Sequence, residues 1–138
     1  MKKFSLIILI ILLVFSCSKK EVKKESLEGI TAREALTVIE SLRTAFVKKD
    51  RKELERLTTS QGLKSIIQHL SGFDSIDLVF TPVWIEIETD KTSVNVSWKG
   101  KWIVSDKFME DRGMAIIELK GQPLKVDKIK RANPFVLP

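Results

Sequence analysis

Five carboxylates, Asp77, Glu86, Glu88, Glu118 and Asp127, stand in stretches where polar and apolar residues alternate. A carboxyl group enclosed by apolar neighbours loses solvation, its pKa rises, and it becomes a base able to abstract a proton. Arg112 is the cation best placed to stabilise an anion formed beside such a base, and Asp77 with Arg112 makes the alternative polar site of this chain. The alternation argues the other way, because every second residue of a strand is where a two-faced sheet meets water. Arg112 also has Glu110 and Asp111 beside it as ion-pair partners. His69 is the only histidine, and it neighbours Ile66 and Leu70 at the end of a helical pattern, with no motif that would make it a catalyst. Cys17 is the only cysteine, and no histidine is set against it, so no nucleophile and base pair forms. One His and one Cys leave carboxylates as the only metal ligands, and these lack the spacing of a calcium loop. Gly62, Gly72 and Gly100 stand too far apart to cradle a phosphate. The expectation is a domain that binds without catalysis, using no metal and no cofactor.

Cys17 closes an apolar run. Lys2 and Lys3 give the amino terminus its positive end, and Leu6 to Phe15 is nearly unbroken Leu, Ile, Val and Phe. That length suits the core of an export signal and falls short of the roughly 20 residues of a bilayer span. The run alone would serve a signal anchor or an ordinary secretory peptide equally well. The segment Leu13-Val14-Phe15-Ser16-Cys17, however, resembles the lipobox of bacterial lipoproteins, although Val14 and Phe15 depart from its commonest residues. The resemblance implies cleavage before Cys17, diacylglycerol on its thiol and acylation of the new amino terminus. By resemblance to enterobacterial sorting, Ser18 implies the periplasmic face of the outer membrane where the organism has one. The chain then divides into a signal peptide (1–16), a lipidated cysteine with a solvated tether (17–29) and a domain (30–138).

Without Lys2 and Lys3, 22 basic residues remain against 18 acidic, with both signs interleaved along the chain. Nucleic-acid binding calls for Lys and Arg clustered on one face, so no nucleic-acid partner is expected. The domain is long enough for one core without disulfides. Thr31-Ala32-Arg33-Glu34 reads as a capping box before a helix over about 32–48, with Ala35, Ile39, Leu42 and Phe46 along its inner stripe. Asp50 caps a second short helix carrying Leu54 and Leu57, and Ser60 and Gly62 open a third with Leu63, Ile66, Ile67 and Leu70. Beyond Gly72 the period becomes two. Ile76, Leu78 and Phe80 belong to one strand, which Pro82 marks as an edge or a bulge. Asp90-Lys91 is a turn, and Val94, Val96 and Trp98 begin a strand running through Trp102 and Val104, with Gly100 as its expected bulge. A polar loop over Ser105–Asp111 precedes a strand from Gly113 to Leu119, and Gly121-Gln122-Pro123 turns into a last strand over Leu124–Lys130. Helices followed by a bent antiparallel sheet of about four strands make an α+β domain.

On these features the chain resembles the nuclear transport factor 2-like superfamily, the cystatin-like α+β cone. The matching segments are Ala45-Phe46-Val47-Lys48-Lys49-Asp50, Val94 through Trp102, Arg112 through Leu119, and Asn133-Pro134-Phe135. The resemblance implies a conical pocket between helices and sheet, with Phe46, Phe80, Trp84, Trp98 and Trp102 as its candidate liners, open to an apolar small molecule. It also implies pairing through the outer face of the sheet, as a homodimer. The residues themselves are equally those of a filled core, or, for the tryptophans, of an outward contact patch for another envelope protein. Enzymes of this fold are isomerases, dehydratases and hydrolases with cavity carboxylate bases, and the absence of tyrosine here removes the oxyanion donor of the ketosteroid isomerases.

Overall fold

A computed structural model describes residues 24–138, so the leader, Cys17 and most of the tether lie outside the described residues. Three helices, α1 (Leu27–Val47), α2 (Arg51–Leu57) and α3 (Ser60–Ile67), precede four strands, β1 (Ser75–Ile87), β2 (Thr92–Val104), β3 (Lys107–Lys120) and β4 (Lys125–Arg131). The strands form one antiparallel sheet in sequence order, the α+β arrangement expected. No helix of the described residues is long and apolar enough to cross a membrane.

α1 begins five residues before the expected position. Ser26 is its cap, the hydroxyl accepting from the Gly29 N–H at 3.1 Å. Thr31 and Glu34 lie one and two turns inside the helix, and Glu34 does other work: its carboxylate accepts the Leu124 N–H at 2.9 Å, tying α1 to the β3–β4 turn. α2 is capped by Asp50, which accepts from Glu53 N–H at 3.0 Å, and buries Leu54 and Leu57 as its spacing requires. α3 is capped by Thr59 and lies against β4 at Gly62, where a Cβ would run into the Val126 backbone. A residue with any side chain there would push helix and strand apart.

The bulge lies in β1. Register slips between Pro82 and Trp84, leaving Val83 unpaired, whereas Gly100 pairs regularly with Leu78 and Asp111. Gly100 has another purpose, since a Cβ there would occupy the space of the Trp102 ring. A second slip, between Glu118 and Leu119, leaves Asp127 as the extra residue of β4. Such slips bend a sheet and sharpen its twist. The expected loop over Ser105–Asp111 shrinks to Ser105 and Asp106, both at positive φ, and β3 already begins at Lys107. Two consecutive left-handed residues match the right-handed twist of the flanking strands, so the polar run beyond them continues as paired strand.

Each edge of the sheet is touched at one point by the helical layer. On β1, Arg43, ion-paired with Glu40, donates to the Leu78 carbonyl at 2.8 Å, and Pro82 has no N–H to offer. On β4, the Thr59 N–H donates to the Val126 carbonyl at 2.9 Å beneath α3. Unpaired edges invite another chain to add as a strand, and these contacts occupy one carbonyl on each edge.

Candidate functional site

The register divides the sheet's side chains into two faces. Toward the helices point Ile76, Leu78 and Phe80 of β1, Val94, Val96, Trp98 and Trp102 of β2, Ala115, Ile117 and Leu119 of β3, and Val126 of β4. They meet Ala35, Ile39, Leu42, Ala45 and Phe46 of α1, with Leu54, Leu57 and Ile66 from the shorter helices. The carboxyl-terminal segment seals one end: Phe135 packs edge-on against Phe46 at 4.8 Å and Phe80 at 5.8 Å between ring centres, fixed by Asn133, which bonds the Ser65 carbonyl. Nothing about Phe135 beyond its apolar character marks it in the sequence as a core residue.

The five aromatics expected to line one pocket are not gathered around one. Phe46 and Trp102 are fully buried and Trp98 nearly so, all three within the packed core. The rings of Trp98 and Trp102 meet edge to face at 6.3 Å, and the Trp98 indole N–H donates to the Ala132 carbonyl at 3.0 Å. Phe80 is half-buried at the core's margin. Trp84 is on the opposite face of the sheet and 59% exposed. The Val83 bulge explains the separation, because one extra residue exchanges inward and outward positions. Trp102 Nε1 is buried and has no partner in the structure.

The five carboxylates do not share one cavity, although Lys91 links Glu88 at 3.1 Å with Glu118 at 3.9 Å. Asp77 and Glu86 are exposed on the outer face, and Glu88 is exposed at the β1–β2 turn. Glu118 is on that outer face too but buried, held by Lys130 at 2.5 Å, with Lys91 at 3.9 Å. Asp127, at the β4 bulge, accepts from Lys120 at 2.9 Å and Thr59 at 2.8 Å. These two donors, Lys120 foremost, hold its carboxyl below the ordinary 3.8, the opposite of what a proton-abstracting base requires. Asp77 and Arg112 are two strands apart and one row off in register, so they do not form a joint site. His69 is half-buried in the turn after α3, where its carbonyl accepts the Gly72 N–H at 3.1 Å.

What the structure does bring together is the outer face. Across β1, β2 and β3 the rows read Ser75, Ile103, Phe108; Asp77, Lys101, Glu110; Val79, Lys99, Arg112; Thr81, Ser97, Met114; Trp84, Asn95, Ile116. Phe108 is 63% exposed and Val79 52%, and Ile103 and Met114 are also exposed. Between the row ending in Arg112 and the row beginning with Trp84, the small residues Thr81 and Ser97 leave a groove of about 380 Å³. Lys99 pairs with Glu110 at 2.8 Å and holds that carboxyl below its ordinary value. Arg112 makes no ion pair among the described residues. Sequence reasoning identified Trp84 and Arg112 but not Val79, Thr81, Ser97, Phe108 or Met114. The signal was present in their alternation with inward residues of their own strands, such as Leu78, Val96, Trp98 and Ala115, but the slip at Val83 and the early start of β3 hid which rows align.

No protein-family model matches the chain and no curated protein matches it. Among solved structures, a nuclear transport factor 2 (NTF2-like) superfamily protein from Salmonella enterica subsp. enterica serovar Typhimurium str. LT2 is similar to it, with a TM-score of 0.66 over 76% of this chain and 92% of that one. At 11% sequence identity this likeness establishes the fold alone. The domain has the NTF2-like fold.

Proposed function

We propose that the chain is a bacterial envelope lipoprotein, anchored through lipid on Cys17, whose NTF2-like domain is a non-catalytic interaction module that meets a partner protein through the outer face of its sheet. One observation carries the reading: that face exposes Val79, Trp84, Ile103, Phe108 and Met114, while the inner aromatics Phe46, Trp98 and Trp102 are spent on the core. Large exposed apolar side chains gathered on one surface mark contact sites, and Trp, Phe and Met are the types that interfaces favour. The leader supports the anchor by its positive start, its short apolar run and its cysteine.

The test has two parts, both on the full chain in a native bacterial host. Intact mass of the chain extracted from membranes should show a species beginning at Cys17 with the added mass of its lipid, lost in Cys17→Ser. Co-purification of a discrete partner should survive Lys52→Glu on α2 and disappear in Trp84→Glu with Phe108→Glu. An unmodified mass refutes the anchor, and partner retention in the outer-face double variant refutes the interface.

A further inference from the structure

The groove between Val79 and Met114 carries a specific chemistry. Its floor is Thr81 opposite Ser97, and one wall is the row Val79, Lys99, Arg112. Neither floor hydroxyl nor the Arg112 guanidinium has a hydrogen-bond or ion-pair partner among the described residues, whereas Lys99 is engaged by Glu110 at 2.8 Å. Among the described residues no carboxylate lines the groove; Glu110, one row away, feels the Arg112 charge without pairing with it, and the Asp111 carboxylate accepts the Arg112 backbone N–H at 2.8 Å. The result is a trough in which the exposed Arg112, free of any ion pair among the described residues, stands beside two hydroxyl donors and the apolar side chains of Val79 and Met114. A guanidinium matches a carboxylate with two parallel N–H donors, and hydroxyls complete the remaining lone pairs. The apolar flanks suit the methylene stem that carries such a carboxylate.

We infer that this groove receives a glutamate or aspartate side chain of the partner protein, with Arg112 as its counter-ion and Thr81 and Ser97 as hydroxyl donors. The inference rests on the outer-face reading and names what the partner must present. Arg112 thereby sets specificity, since a partner with a neutral or basic residue at that point would leave the guanidinium buried without compensation.

The experiment uses the full-length chain in detergent micelles, with ¹⁵N placed on arginine so that only six residues report. The Arg112 Nε–H signal, identified by its absence in Arg112→Lys, is followed while acetyl-Ser-Glu-Ser-amide is added, and separately acetyl-Ser-Gln-Ser-amide and inorganic phosphate. An exposed ion pair is weak, so the Arg112 signal is expected to shift progressively with the glutamate peptide, and several-fold less with the glutamine peptide at equal concentration. Thr81→Val with Ser97→Ala should weaken the glutamate peptide several-fold while leaving the other arginine signals in place. Equal response to both peptides, preference for phosphate, or no response of Arg112 overturns the proposal. So does an Arg112 signal that moves with protein concentration and not with peptide, which assigns the groove to a second copy of the chain. The outer-face reading is judged separately by the Trp84 and Phe108 double variant: loss of the partner there with an unresponsive Arg112 removes the carboxylate and keeps the face.

Discussion

Replacing Trp102 and Trp84 by alanine, one at a time, separates the two faces of the sheet by energy. Trp102 is fully buried against Gly100 and edge-on to Trp98. A buried tryptophan removes about 150–250 Å² from water, worth roughly 4–6 kcal/mol at about 25 cal/mol per Å², and measured truncations of such residues cost about 3–5 kcal/mol once the cavity has partly relaxed. Its Nε1 has no acceptor in the structure, so no hydrogen bond is lost, and removing an unmatched donor returns about 1 kcal/mol. The net expectation for Trp102→Ala is a loss of about 3 kcal/mol. Trp84 is 59% exposed and leaves no internal cavity, so the same conversion on the covered two-fifths limits Trp84→Ala to about 1.5 kcal/mol. Urea unfolding of residues 18–138 at neutral pH reads both, and with a slope of about 1.5 kcal/mol per molar the midpoints should fall by about 2 M and about 1 M at most. A loss below about 1 kcal/mol for Trp102→Ala would refute the filled inner layer, because the liner of an open pocket has little packing to lose.

Gly62→Ala should destabilise the domain by about 1–3 kcal/mol or more through overpacking, since its methyl would meet the Val126 backbone, which cannot swing away; thermal unfolding measures it. Replacing Ser105-Asp106 by Asn-Gly should stabilise the domain by about 0.5–1 kcal/mol, because both residues hold a left-handed φ that this pair adopts most readily, and a lower unfolding midpoint would contradict the turn assignment. Asp127→Asn should cost stability at neutral pH. The carboxyl is held below 3.8 when folded, so its contribution is complete above that value and is lost as pH falls through the folded pKa. Unfolding curves of wild type and variant should therefore converge in acid, once pH has fallen through the lowered folded pKa, and a gap that persists there would contradict the Lys120 and Thr59 contacts as its source.

The order and class of the elements were legible because they rest on periodicity. The stripe Ala35, Ile39, Leu42, Phe46 and the alternations around Val94 and Ile117 report burial directly, and burial is what orders the chain. What remained hidden depends on single residues with two physical readings. Gly100 is as good a bulge as it is a space for a ring, and only the distant Trp102 decides between them. Thr31 and Glu34 have the spacing of a capping box, but Ser26 offers an equivalent hydroxyl one turn earlier. The site was the least legible part, because the bulge at Val83 determines which face carries Trp84, and a one-residue slip leaves no mark in composition. Arg112 was visible as a candidate cation, but its lack of a partner follows from Lys99 taking Glu110 across the β2–β3 pair.

The outer face as the meeting surface is tested most directly by placing a photoreactive amino acid at single positions of the full chain in living cells and irradiating. At Val79, Trp84, Phe108 and Met114 the account predicts one discrete protein adduct of the same mass, and none from Lys52 or Gln68 on the helical side. Adducts confined to the helical side, or none from the outer face, would contradict it.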